Sequence, residues 1–146
     1  METKFNFKSA VCTSREQSER LLALGLKPET ADMAYKTIGK VVDMGEVRWM
    51  YQHNPSVVYK GIMTEEDIPA WSMHRLIEMM PESIEHKVYG TLWRTIYAND
   101  VFYTDWKDNT PVARTLDLYE HLIFYIEWLI KEGYFNKQYL EEYGCC

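Results

Sequence analysis

The sequence has little cysteine, and its three thiols are poorly placed for cross-linking or metal binding. Cys12 stands alone near the N-terminus, and Cys145 and Cys146 are the last two residues. Three cysteines cannot all pair within one chain, and neither a CxxC motif nor a Cys/His quartet is present. We therefore expect no structural zinc site. The residues just before the terminal pair are acidic, whereas a stable lipid anchor usually needs a polybasic patch.

Long apolar runs are also missing. The first residues, "METKFNFKSAVCTSREQ", contain neither the apolar core nor the small-residue cleavage site of a signal peptide. No later run approaches the roughly 18 apolar residues typical of a membrane-spanning helix. The sequence therefore predicts a cytoplasmic protein that does not associate with membranes.

Motifs that would define a reaction are absent. The seven glycines are isolated, so no phosphate-binding loop is predicted. The four histidines are scattered, with no His-x-x-x-His or Glu-x-x-His spacing for a metal ion. The acidic segment "TEEDIP" at 64–69 is interpreted as a solvated loop. We expect no catalytic residue, no cofactor and no bound metal ion.

Clustered positive charge is the last absence. The net charge is −6, and residues 61–146 carry fifteen acidic against seven basic side chains, while residues 1–60 carry seven against nine. Nucleic-acid affinity depends on clustered cations that neutralise phosphates, so direct duplex binding is disfavoured. The acidic half could attract a basic partner, or it could simply keep the protein in solution.

Aromatic residues are abundant instead. Among 146 residues there are five Trp, eleven Tyr and five Phe, with 47% apolar and 26% charged residues overall. This composition is typical of a globular protein, and the length fits one domain over 1–146.

The segment "TSREQSERLLALGL" predicts a helix over residues 15–24. Its start offers two overlapping capping boxes, Thr13 with Glu16 or Ser14 with Gln17. Gly25 is suited to the left-handed conformation that ends many helices.

The segment "DIPAWSMHRLIEMMP" predicts a second helix over residues 72–80. Ser72 is suited to cap its start, Trp71 to pack on Leu76, and Pro81 to end it. At helical spacing an apolar stripe forms on one face, which predicts a core contact; its members are Met73, Leu76, Ile77 and Met80.

The same helix holds a serine two residues before a histidine, which raises the question of a nucleophile and its base. A capping hydroxyl at Ser72 points away from His74 on the same first turn, and no Gly-x-Ser-x-Gly turn surrounds it. The sequence therefore favours a structural role for both.

Alternating side chains predict strands elsewhere. Residues 88–97 alternate with a period of two, "AND" supplies turn residues, and "VFYTDW" follows, so an antiparallel hairpin is predicted within 87–106. Residues 47–51 predict a half-buried strand, and "SVVYKGIM" predicts another.

Three segments together resemble a group of short proteins encoded in gut-bacterial genomes, prophages and other mobile elements. The segments are "LLALGLKPETADM", "DIPAWSMHRLIEMMP" and "IEWLIKEGYFNKQYL". The resemblance carries no catalytic residue across. It implies an accessory protein of mobile DNA, and so favours a protein-binding regulator or an inhibitor of host machinery over a metabolic enzyme.

The C-terminal helix, predicted over 114–132 and ended by Gly133, has one continuous apolar half for the core. Its other half is charged, and His121 and Glu127 are assigned to it, yet Phe124 and Trp128 lie there as an i, i+4 pair. Something should cover these rings. The cover would be the chain after Gly133, the segment 33–63, or a partner, for which these four residues are the candidate interface.

The fold prediction is α+β, a single domain in which a small antiparallel sheet around the 87–106 hairpin packs against about three helices. The leading functional hypothesis is a non-enzymatic module that binds another protein or a second copy of itself. The alternative is a small-molecule or nucleotide-binding protein in which Trp49, Trp93 and Trp106 stack a planar ligand. Core packing is the structural alternative for most tryptophans, and an enzyme ranks third.

Overall fold

The computed structural model describes residues 9–58, 63–97, 100–104 and 117–142. Its α-helices are Arg15–Ala23 (α1), Met73–Met79 (α2) and Leu118–Glu132 (α3), and short 3₁₀ turns occur at Pro28–Thr30 and Lys137–Tyr139. Its strands are Met33–Tyr35 (β1), Thr37–Asp43 (β2), Glu46–Tyr51 (β3), Ser56–Val57 (β4), Ile68–Ala70 (β5), Ser83–His86 (β6), Gly90–Tyr97 (β7) and Asp100–Thr104 (β8). Trp106, Cys145 and Cys146 lie outside the described residues.

Helix α1 begins at the second of the two predicted capping boxes. The Gln17 amide donates to the Ser14 hydroxyl at 3.2 Å, and the Ser14 amide donates to the Gln17 side chain at 2.9 Å. Thr13 is used differently, because its hydroxyl accepts a hydrogen bond from the buried amide of Trp71 at 3.1 Å. The capping choice left open by the sequence is therefore decided by a contact with a segment 58 residues away.

The predicted glycine ends are confirmed for α1 and α3. Gly25 has a φ of 101°, and the next amide, that of Leu26, donates to the Leu21 carbonyl at 3.3 Å. Gly133 has a φ of 81°, and the Tyr134 amide donates to Leu129 at 2.8 Å. In both helices the left-handed glycine turns the chain so that it satisfies carbonyls of the last turn.

Helix α2 is confirmed with the predicted cap at Ser72, whose hydroxyl accepts from the Arg75 amide at 3.2 Å. The predicted stripe faces the core, since Leu76 and Met80 are buried and Met73 and Ile77 pack against the same cluster. Met79, absent from the predicted stripe, is buried as well.

The strands of the described residues form three antiparallel sheets, in the orders β4-β1-β5, β2-β3 and β6-β7-β8. The predicted hairpin is β7–β8, in register from Trp93 opposite Thr104 to Tyr97 opposite Asp100. The sequence pattern does not predict strand β6, which pairs with β7. The strand predicted from the alternating pattern begins too early, because Val88 and Tyr89 lie in an exposed turn between β6 and β7.

Two strand predictions need correction. Strand β3 covers the predicted residues 47–51, but it is not half-buried, because both of its faces are exposed and only Tyr51 is partly covered. Of "SVVYKGIM", only Ser56–Val57 forms a strand, and residues 59–62 lie outside the described part of the chain.

Helix α3 organises the main core. It contacts β8 on one side and both α1 and α2 on the others. Its buried face includes Leu122, Ile123, Ile126 and Leu129, which join Trp71 and the α2 residues in one cluster. This is the α+β architecture that the sequence predicts. Among the described elements, only α3 shows an extensive contact with the β6-β7-β8 sheet.

Candidate functional site

The β2–β3 pair forms a ribbon of two antiparallel strands that the rest of the described chain leaves uncovered. Every residue from 38 to 50 is exposed. The strands are joined by a two-residue turn, in which Met44 has a φ of 51° and Gly45 a φ of 85°. Positive φ at both positions is typical of the type I′ turn, whose twist matches that of the flanking strands. Met44, at the tip, is 98% exposed.

The ribbon carries apolar side chains on both faces. The pairs Val42 with Val47 and Lys40 with Trp49 share one face, where the Lys40 ammonium lies 5.8 Å from the Trp49 ring centre. The opposite face carries Val41 and Met50 beside charged residues. The large apolar side chains exposed on the ribbon are Ile38, Val41, Val42, Met44, Val47, Trp49 and Met50.

The base of the ribbon is attached to the body. The Arg15 guanidinium of α1 lies 4.9 Å from the Tyr51 ring centre. The Asp67 carboxylate accepts hydrogen bonds from the amide and hydroxyl of Thr37 at 2.8 and 3.0 Å. It also accepts from the Thr64 amide at 3.1 Å and lies 3.3 Å from the Lys36 ammonium. Asp67 therefore ties the start of β2 to the loop before β5.

The interpretation of "TEEDIP" as a solvated loop is wrong for Asp67, because the Asp67 side chain is buried. Burial alone would raise the pKa of Asp67. The hydrogen bonds from Thr37, Thr64 and Lys36 act in the opposite direction and lower that pKa to about 2. The carboxylate is thus ionised at neutral pH and serves as a structural acceptor. An apolar cleft of about 460 Å³ lies beside it, lined by residues that include Leu22, Pro69 and Met63.

An aromatic groove of about 330 Å³ lies between the β6-β7-β8 sheet and α3. The lining residues are His86, Tyr89, Leu92, Tyr103, Thr104, Tyr125 and Trp128. Three of the rings are close neighbours: the ring centre of Tyr103 is 6.3 Å from those of both Tyr125 and Trp128. Tyr89, at the rim, is exposed and its ring centre is 4.9 Å from that of His86.

Two polar groups of the groove already have hydrogen-bond partners within the protein. The Tyr103 hydroxyl donates to the Pro81 carbonyl at 2.6 Å, and burial raises the pKa of this phenol, so it stays neutral. The Nδ1 atom of His86 accepts from the Val88 amide at 3.1 Å and from the Tyr89 amide at 3.3 Å. The proton of the neutral imidazole is therefore on Nε2, which can donate to a ligand.

The predicted interface on α3 separates into covered and uncovered residues. Phe124 is 48% exposed and makes an edge contact with Tyr125. Trp128 is partly buried, and one of its neighbours is Tyr134, 5.7 Å away between ring centres, in the chain after Gly133. The predicted cover from within is therefore present for Trp128. Glu127 is paired with Lys131 at 3.0 Å.

His121 requires a correction. The helical pattern places it on the charged, outward half of α3, but it is only 2% exposed. The apolar face of the helix is broad enough to include this position, so His121 belongs to the interior of the described structure and is not a surface residue.

Of the three predicted stacking tryptophans, Trp106 lies outside the described residues, and the other two do not come together. Trp49 lies on the β2–β3 ribbon and Trp93 on β7, in different sheets, and the two are 42% and 43% exposed. Neither lines the aromatic groove. The groove uses tyrosines and Trp128 instead. The sequence shows that β7, β8 and α3 are rich in aromatic residues, but it does not show which of their rings face one another.

Ser72 and His74 each contact a different carboxylate. The Ser72 hydroxyl donates to the Asp32 carboxylate, and His74 Nε2 lies 3.7 Å from the Glu78 carboxylate. A cleft of about 590 Å³ borders His74, Arg94 and Tyr134. The Arg94 guanidinium there donates to the carbonyls of Ile77 and Met80 at 3.0 and 2.7 Å, near the end of α2.

Within the described ranges, no three or more His, Cys, Asp or Glu side chains are grouped to hold a metal ion. No helix in that part of the chain is long and apolar enough to cross a membrane. Comparison with known proteins found no matching family model, no matching curated protein and no matching solved structure.

Proposed function

We propose that this chain is a non-enzymatic protein-binding module that recognises another protein, or a second copy of itself, through the β2–β3 ribbon. The observation that carries this proposal is the exposure of the ribbon on both faces, with Trp49, Met50 and five further large apolar residues uncovered. A two-stranded ribbon on its own is marginally stable in water, and contiguous apolar surface usually marks a binding site. A protein partner would supply the missing cover.

The wider role is proposed from the sequence. The resemblance to proteins of prophages and other mobile elements supports an accessory or regulatory module of mobile-element origin, acting in the cytoplasm. The contacts of Ser72 with Asp32 and of His74 with Glu78 support a structural role for the residues that most resembled a catalytic pair.

The ribbon is tested by comparing proteins retained from a bacterial lysate by the wild-type chain and by a variant. The variant combines Val47→Ser with Trp49→Ser, both exposed, so the fold should persist. The matched control combines Val57→Ser with Val88→Ser, which are exposed outside the ribbon. We expect quantitative mass spectrometry to show specific proteins that the ribbon variant loses and the control keeps. Equal retention by all three chains would contradict the recognition of another protein and would leave a second copy of this chain as the partner to test.

A second candidate function is the binding of a small planar molecule in the aromatic groove. The observation that favours it is the convergence of Tyr89, Tyr103, Tyr125 and Trp128 around about 330 Å³ of open space. Ligand sites of this size are usually lined by apolar and aromatic side chains with a few polar groups. The Nε2 atom of His86 would be one such donor.

The groove is tested with adenosine as a planar probe. Titration should shift the indole N–H resonance of Trp128 in the wild-type chain, and Tyr89→Ser should weaken the effect because Tyr89 lines the rim. Val88→Ser, the neighbouring exposed residue that does not line the groove, is the control. If the Trp128 resonance does not move with adenosine, this second function loses its support.

A further inference from the structure

The outer edge of β3 offers a row of backbone groups for strand pairing. Asp43 and Glu46 pair directly across the two-residue turn, and the Gln52 amide donates to the Lys36 carbonyl at 2.8 Å. In an antiparallel ladder, alternate residues turn their amide and carbonyl groups toward the partner strand. The backbone N–H and C=O groups of Glu46, Arg48 and Met50 therefore point toward β2. Those of Val47, Trp49 and Tyr51 point outward. No strand among the described residues pairs with this edge.

The two edges of the ribbon differ in their fitness for pairing. Strand β2 contains an irregularity in register between Thr37 and Gly39, and it carries Lys40. Bulges and lysines are devices that discourage pairing at a sheet edge. Strand β3, "EVRWMY", has neither bulge nor lysine nor proline. Its edge is therefore the one suited to accept another strand.

The charges of β3 specify which strand fits that edge. Glu46 and Arg48 lie two residues apart on one face, 4.0 Å from each other, and both side chains are 75% exposed. Two antiparallel copies of β3 related by a two-fold axis through Val47 exchange positions 46 and 48. Each Glu46 then stands opposite the partner's Arg48, at a position where cross-strand side chains approach closely. The strand is thus complementary to itself.

The other face of the same arrangement is also compatible. Val47 stands opposite the partner's Val47, and Trp49 lies just beyond the paired segment, beside the partner's turn at Met44 and Gly45. The outward N–H and C=O groups of Val47 meet in the same register, so backbone pairing and side-chain pairing agree.

We propose that the chain forms a two-fold dimer by antiparallel pairing of the outer edges of two β3 strands about Val47, with each Glu46 facing the partner's Arg48. This inference rests on the proposed function, because it identifies a second copy of this chain as the partner of the ribbon. In this register only Glu46 to Arg48 of each strand pair, which is far less than a standard interface of roughly 800 Å² per partner, so the dimer should be weak, with a dissociation constant on the order of 10 to 100 μM.

The test is sedimentation of the full chain from about 1 to about 500 μM, a range that spans this affinity. The wild-type chain should pass from monomer to dimer. Glu46→Arg alone and Arg48→Glu alone should each weaken dimerisation at least about tenfold, because like charges then face each other across the axis. Glu19→Arg, an exposed change of the same charge on α1, should leave dimerisation unchanged.

Two combinations separate pairing from general charge effects. The double variant Glu46→Arg with Arg48→Glu should dimerise again, since the swapped charges face each other in the same register. An equimolar mixture of the two single variants should form the mixed dimer, in which both cross-strand pairs are complementary. At about 1 μM, where the wild-type chain is monomeric, all variants should keep the wild-type unfolding midpoint, because both positions are highly exposed.

A wild-type chain that stays monomeric over this range would overturn the proposal, as would a Glu46→Arg variant that dimerises like the wild type. In either case, loss of a retained protein on combining Val47→Ser with Trp49→Ser would leave the ribbon a binding site for a different partner. If that variant retained the same proteins as the wild-type chain, the proposed function itself would fail.

Discussion

The carboxylate of Asp32 binds both donors of Ser72. One oxygen accepts the Ser72 amide at 2.8 Å and the other accepts its hydroxyl. The same hydroxyl oxygen accepts the Arg75 amide at 3.2 Å and so caps α2. Asp32 precedes β1, so this pair fixes the start of the helix relative to the β4-β1-β5 sheet.

Ser72→Ala should lower the free energy of unfolding by about 1 to 2 kcal/mol. The change removes the helix cap and leaves the Asp32 carboxylate with one donor fewer. Urea denaturation monitored by circular dichroism measures the loss, and Ser72→Thr, which keeps a hydroxyl, is the matched control. Binding of any partner should be unaffected. A variant as stable as the wild type that has lost binding would contradict the structural role.

Leu76→Ala should cost roughly 2 to 5 kcal/mol, because Leu76 is fully buried in the cluster between α2 and α3 and its truncation leaves a cavity. Val88→Ala, in the exposed turn between β6 and β7, should change stability by less than about 0.5 kcal/mol. Both values come from urea denaturation. A loss below about 0.5 kcal/mol for Leu76→Ala would mean that the stripe does not pack in the core.

Phe124 and Trp128 should respond differently to the same substitution. Trp128→Ser removes ring contacts with Tyr103, Tyr125 and Tyr134 and should cost about 2 to 4 kcal/mol. Phe124→Ser should cost about 1 kcal/mol or less, because nearly half of that side chain is already exposed. Thermal unfolding of the two single variants checks this order. Equal losses would show that the two rings are covered alike.

Asp67 should make stability depend on acid pH. Its folded pKa of about 2 lies below the value near 3.9 of an unfolded aspartate. Its contribution to stability is therefore complete above about pH 4 and is lost as the pH falls from about 4 to about 2. Asp67→Asn should cost roughly 1 to 3 kcal/mol at pH 6 and much less near pH 2, as measured by urea denaturation at each pH. A difference that stays constant with pH would contradict this account.

Local signals in the sequence determined the helices and the main hairpin. The capping residues Ser14 and Ser72 and the glycines at 25 and 133 mark helix ends because each acts on backbone groups within one turn. The α2 stripe and the alternation in β7 and β8 likewise depend on neighbours along the chain. These features combine into the α+β class before any long-range contact is known.

Tertiary contacts decided which faces are covered. Residues 47–51 alternate like a half-buried strand, yet β3 pairs only with β2 among the described strands, and every residue of β3 except Tyr51 at its end is exposed. His121 lies at a position of α3 that the helical pattern assigns to the charged half, yet it is buried. Trp128 is partly buried against Tyr134, whereas Phe124 is 48% exposed. A periodic pattern states which side chains share a face. Whether another segment reaches that face depends on how distant elements pack, and a single sequence does not encode that in any local pattern.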